Sequence, residues 1–118
     1  MIAPREAFEE GGQASPAFEP GDLVKHRRYG YRGVVVHRDP TCQASDEWYL
    51  KNQTQPVREQ PWYFILVDET DQTTYAAHSN LEADDQQSCV MHPWVNIYFS
   101  GFHAGKYHRN SKPWETQH

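Results

Sequence analysis

The sequence predicts a mainly β domain, a small and strongly bent β-barrel with a short C-terminal helix. Three observations carry that expectation. The β-branched run Val34-Val35-Val36 follows a glycine-bearing turn, and Trp62-Tyr63-Phe64-Ile65-Leu66-Val67 is apolar on both faces. Near the C-terminus, Trp94, Val95, Tyr98, Phe99 and Phe102 follow Pro93 at helical period. The chain has 118 residues, enough for one core. Mean hydropathy is −0.91, yet aromatics make up 14% of the residues, against the aromatic-poor composition of disordered chains.

Residues 1–17 are acidic, punctuated by Gly, Pro and Ser, and aperiodic, which predicts a loose N-terminal tail before a domain over 18–118. The turn cluster Phe18-Glu19-Pro20-Gly21-Asp22 precedes Leu23-Val24-Lys25-His26-Arg27-Arg28. Tyr29-Gly30-Tyr31-Arg32-Gly33 then leads into the valines, a β-hairpin in which Gly30 can supply a positive φ. Strict alternation puts Arg32, Val34, Val36 and Arg38 on one face.

Asp39-Pro40-Thr41 ends that strand, and residues 41–60 form a long polar excursion. Within it Ser45 is placed to cap a short helix over Asp46-Glu47-Trp48-Tyr49-Leu50-Lys51. Excursions of this length in compact domains are often functional. The central strand Trp62 to Val67 turns at Asp68-Glu69-Thr70-Asp71-Gln72 into Thr73-Thr74-Tyr75-Ala76-Ala77, a second hairpin. Asn80-Leu81-Glu82 supplies a short closing strand, and the helical segment covers about 92–103. Five short strands in this order suggest an SH3-like barrel over about 18–83.

At these residues the chain resembles the YccV-like family, also called the hemimethylated-DNA-binding or HspQ family. The resemblance rests on the run from Gly21 to Val36, on Asp39-Pro40, Pro61-Trp62-Tyr63, Leu66-Val67-Asp68, Tyr75-Ala76-Ala77 and Asn80-Leu81-Glu82. His92-Pro93, Tyr98-Phe99, Phe102 and Gly105-Lys106-Tyr107 resemble the longer forms, including the domain at the end of certain eukaryotic F-box proteins. The resemblance implies an SH3-like barrel without a catalytic set and two activities. One is binding to duplex DNA, with hemimethylated sites as the selective case. The other is that of the heat-shock member, an adaptor acting on an ATP-dependent protease or its substrates.

The residues themselves point the same way as the first activity. Lys25, Arg27, Arg28, Arg32 and Arg38 place five of the eleven Lys and Arg within fourteen residues that contain no acid. Tyr29 and Tyr31 interleave with them, and cations for phosphate with rings for bases make a nucleic-acid composition. The chain's net charge of −5 opposes indiscriminate attraction to a polyanion. The expected DNA-binding set is therefore Lys25, Arg27, Arg28, Tyr29, Tyr31, Arg32 and Arg38. A different expectation uses aromatics at one end of the barrel, with Tyr29, Tyr31, Trp62, Tyr63 and Tyr75 converging on a cage for a cation.

Other classes lack support. Cys89 with His92, and His103 with His108, offer ligand types but not the paired short spacings of zinc sites, so no metal or cofactor is expected. No phosphate loop, nucleophile elbow or His-Glu-x-x-His occurs, and the domain is expected to be non-catalytic. No run approaches the ~18 apolar residues of a membrane span. The first residues lack a secretory pattern, and Cys42 and Cys89 form no disulfide framework, so the expectation is a cytoplasmic protein with reduced thiols. Self-association is left open by the sequence.

Overall fold

Gly30 carries the φ of +78° that its turn requires, and around it the first two strands pair as expected. The computed structural model describes residues 16–115, so the predicted tail lies outside them except for its last two positions. The strands are β1 (Leu23–His26), β2 (Arg32–Asp39), β3 (Trp62–Val67), β4 (Thr73–Ala77) and β5 (Leu81–Ala83). They form one antiparallel sheet in the order β4-β3-β2-β1-β5. Helix α1 (Asp46–Lys51) sits between β2 and β3, its start capped by Ser45 Oγ, which accepts from Trp48 N at 3.1 Å.

All six residues of β3 are buried, because the sheet has apolar cover on both sides. Phe64 and Leu66 pack with Leu23, Val34 and Val36, whereas Tyr63 and Ile65 pack with Val24, Val35, Ala76 and Leu81. The mainly β expectation holds, but no closed barrel is found among the described residues. β4 and β5 are the sheet's edges, and among the described residues no ladder joins them. Instead the Tyr31 hydroxyl meets Thr74 Oγ1 at 2.8 Å, so a side chain spans from the end of the first hairpin to the β4 edge.

A β-bulge at Val36 breaks the alternation that the sequence suggests. Val35 faces Ile65, but His37 already faces Phe64, so Val36 is the extra residue. Its carbonyl is taken by Arg109 Nε at 2.9 Å. Beyond the bulge the faces exchange. Arg38 lies opposite Tyr63 and pairs with Glu19 at 2.9 Å, away from the face that Arg32 shares with Val34.

The C-terminal helix is shorter than expected. Only Val95–Tyr98 is helical (α2), and the chain then forms a hairpin of β6 (Phe99–His103) and β7 (Lys106–Arg109). Ala104 and Gly105 take φ of 54° and 75°, the two consecutive positive values of a tight hairpin turn. The apolar spacing from Trp94 to Phe102 mimicked a helix because a helical turn runs directly into a bulged strand. Of the rings at helical spacing, Tyr98 and Phe99 are buried on the Leu23, Val34, Val36, Phe64 and Leu66 face, Phe102 packs partly against it, and Trp94 stays exposed. Tyr107 and Trp114, from beyond that segment, complete the cover. Gly21 anchors this cover. At φ +103° it accepts from Tyr107 N at 3.0 Å, and a Cβ there would collide with the Tyr107 carbonyl.

Candidate functional site

The turn between β1 and β2 is organised by a buried histidine. His26 Nδ1 accepts from the backbone N–H of both Arg28 and Tyr29, each at 3.1 Å. Two donors converging on one nitrogen require a neutral ring with its proton on Nε2. Burial, and then the charge of Arg28, lower the His26 pKa, in agreement with that geometry. The ring is stacked between Tyr29, at 4.6 Å, and Tyr31, at 5.1 Å. Tyr29 remains 51% exposed, and the Arg28 guanidinium lies 5.8 Å from its ring centre.

A second aromatic group faces this stack from across an open cleft. Trp48, Trp62 and Tyr75 pack edge to face or tilted, with ring centres 5.3–6.2 Å apart. Tyr75 is fixed by donating its hydroxyl to Asp39 Oδ2 at 2.7 Å, while accepting from Gln43 N at 3.0 Å. Burial and the Asp39 carboxylate raise its pKa well above the usual phenol value. Tyr49 is held by Arg58, whose guanidinium sits 4.8 Å over its ring. The tyrosine hydroxyl lies against the carbonyls of Gln55 and Pro56. Bonds tie the stack across the cleft: Tyr29 donates its hydroxyl to Gln53 at 3.2 Å, and the Tyr31 hydroxyl meets Thr74 on β4.

The cleft has a volume of about 400 Å³. Its lining includes His26, the ring groups just described and the polar side chains of Asn52, Thr54, Thr74 and Asn80. Lysine, arginine, aspartate and glutamate are absent from that lining. Four of the five rings expected to converge do so, namely Tyr29, Tyr31, Trp62 and Tyr75. Tyr63 does not: it is fully buried in the second core cluster, where its hydroxyl accepts from Phe18 N and meets His78 Nδ1.

The seven residues expected to contact DNA are divided. Lys25, Arg27, Arg28 and Tyr29 are exposed along the end of β1 and its turn, and Tyr31 is half-buried beside them. Arg27 is steadied by Leu81 O at 3.1 Å and Glu82 at 3.4 Å. Lys25 borders a basin shared with Glu82, Asp84 and Asp85, so acids neighbour it in space although residues 25–38 contain none. Arg32 is drawn inward. It pairs with Asp68 at 2.8 Å and Asp84 at 2.9 Å and also donates to the carbonyls of Ser88 and Cys89. Burial works against its charge, but the two carboxylates outweigh that and raise its pKa. Arg38 stands on the other face with Glu19.

Trp48, Tyr49, Asn52 and Asn80 are site residues that the sequence alone did not single out. The available signal was two aromatics inside a long polar excursion, where solvent-facing rings have no packing reason to occur. Among the described residues, no group of three or more His, Cys, Asp or Glu is placed to hold a metal ion. No helix among them is long and apolar enough to cross a membrane.

The chain matches "F-box only protein 21" of Homo sapiens and of Mus musculus, each at 37% identity over 95 residues. The match takes in 78% of this chain but only 15% of the length of each relative. Residues 16–106, from just before β1 to the first residue of β7, match the family described as "Hemimethylated DNA-binding protein YccV like". The sheet, its basic turn and the aromatic cleft all fall within that span, and the chain belongs to the YccV-like family of DNA-binding domains.

Proposed function

We propose that the chain binds duplex DNA through the β1–β2 turn, and that hemimethylated sites are its selective target. The observation that carries this reading is the family match across residues 16–106. The geometry supports it with an exposed turn that holds Arg27, Arg28 and Tyr29 in a fixed shape around His26. Arg27 and Arg28 supply phosphate contacts, with Lys25 at the edge of the same footprint. Tyr29 and Tyr31 supply the contacts that can sense a methyl group, since charge alone cannot. Arg32 supports the domain rather than the DNA surface, because two nearly buried carboxylates hold its guanidinium, and Arg38 lies on the other face of the sheet.

Titration of labelled duplexes at several salt concentrations tests this. Removing one cation that touches a phosphate should lower the salt slope by roughly one unit, equally for all sequences. Arg27→Ala with Arg28→Ala should therefore weaken every duplex alike. If that variant binds as tightly as the parent at ~0.1 M salt, the turn is not the DNA surface. Regulation of ATP-dependent proteolysis is the alternative that such a result would bring forward. No described surface feature favours it at present.

A further inference from the structure

We propose that the aromatic cleft is a base pocket, which receives one nucleobase swung out of the duplex held by the β1–β2 turn. The inference rests on the DNA-binding reading above and adds to it a defined site and ligand. The lining decides the chemistry of the occupant. A phosphate would need cationic donors in the cleft, and the lining provides none; an organic cation could rest on the rings, but the Arg28 charge beside Tyr29 repels it. What it provides is ring faces with a few amide and hydroxyl groups, the surroundings that suit a neutral planar heterocycle. The volume of about 400 Å³ falls in the ~300–1,000 Å³ range of small-molecule sites and exceeds what one base requires.

Charge at the mouth decides the source of that heterocycle. The Arg28 guanidinium lies 5.8 Å from the Tyr29 ring centre, and Arg27 is next to it in the turn. A nucleotide whose base lay against Tyr29 would place its phosphate beside these two cations. The pocket thus adjoins the proposed phosphate-binding surface, and one polymer can satisfy both. Inside, Asn52 and Asn80 donate side-chain N–H to Trp48 O and, weakly, to Thr54 Oγ1. Their amide oxygens are left to accept from an exocyclic amine. A methyl group on the base would rest on ring surface. One buried methyl corresponds to a preference of about fourfold for the methylated base.

Extrusion from a fully paired duplex is opposed by the cost of unpairing and unstacking, and a base without a partner escapes most of that penalty. The test compares, by fluorescence anisotropy, a paired duplex with the same duplex carrying an abasic site opposite one base. Three proteins are used: the parent, Tyr29→Ala and Trp48→Ala. The parent should bind the unpaired-base duplex about tenfold or more tightly than the paired one. Both variants should lose most of that advantage, given that stacking contributes ~1–3 kcal/mol per base, and Trp48→Ala, which lies outside the DNA-binding turn, should keep the parent's affinity for the paired duplex. Tyr29→Phe, which keeps the ring and removes the bond to Gln53, should behave as the parent. Equal affinity of the parent for both duplexes, or an advantage that persists in both alanine variants, overturns the base pocket and leaves DNA binding intact. Absence of binding to any duplex at low salt overturns the DNA reading itself, and the base pocket with it.

Discussion

Removing Arg32 should erase a large part of this domain's stability margin. Its side chain is 14% exposed, and it bridges Asp68, also 14% exposed, and Asp84, 5% exposed. Arg32→Ala leaves two nearly buried carboxylates without a counter-charge and strands the carbonyls of Ser88 and Cys89. Breaking one buried pair by removing a partner costs about 3–5 kcal/mol. Here one guanidinium serves two acids, so a loss at the upper end of that range is expected. Against a total of about 5–15 kcal/mol for a domain, this is a third or more of the stability. At about 4–8 °C per kcal/mol, Tm should fall by at least ~12 °C. Arg32→Lys keeps the charge but offers no fork, and should lose about half as much. Urea melts measure both variants. A loss below ~1 kcal/mol for Arg32→Ala would refute the placement, as would a salt slope for DNA about one unit lower in the folded Arg32→Ala protein.

Two further predictions address the core and the turn. Leu66 is fully buried between Val34 and the C-terminal cover, so Leu66→Ala should cost ~2–5 kcal/mol in urea melts, and a loss below ~1 kcal/mol would contradict its position. His26 must be neutral in the fold, and its folded-state pKa lies below the unfolded value of about 6.5. Below that value the unfolded chain binds more protons, so this contribution to stability is complete above ~6.5 and is lost as the pH falls through the folded pKa. His92 acts in the same direction, with Nδ1 accepting from Trp94 N. Urea midpoints should therefore drop between about pH 7.5 and 5.5, less steeply in His26→Gln, and a midpoint that rises on acidification would contradict the tautomer assigned here.

What could be read from the sequence was what depends on neighbours along the chain. The first hairpin was legible because Gly30 and the valines are local signals, and β3 because six apolar residues in a row leave no polar face. The bulge at Val36 was not, since it is created by the register against β3 and shows no mark in Val34-Val35-Val36. It is also what separates Arg38 from Arg32. The binding site divides in the same way. Tyr29 and Tyr31 stood out beside their cations. Trp48 and Tyr49 come to the cleft only because residues 41–60 fold back over β4. Likewise the acids that claim Arg32 lie 36 and 52 residues further on, where no window of sequence would connect them.

The strap formed by the C-terminal hairpin bears on how this domain is made. Gly21 accepts from Tyr107, and Arg109 reaches the Val36 carbonyl, so β7, the last of the described strands, seals contacts with residues from the start of the main sheet. During translation all five strands of the main sheet exist before Val90, Tyr98, Phe99, Tyr107 and Trp114 have been added. For that interval, seconds at ~5–20 residues per second, the Leu23, Val34, Val36, Phe64 and Leu66 surface has no cover. A message that ends early, or a ribosome that stalls after β5, releases a sheet with one adhesive side. Newly made chains should therefore pass through a window of chaperone dependence that closes only when the strap is complete.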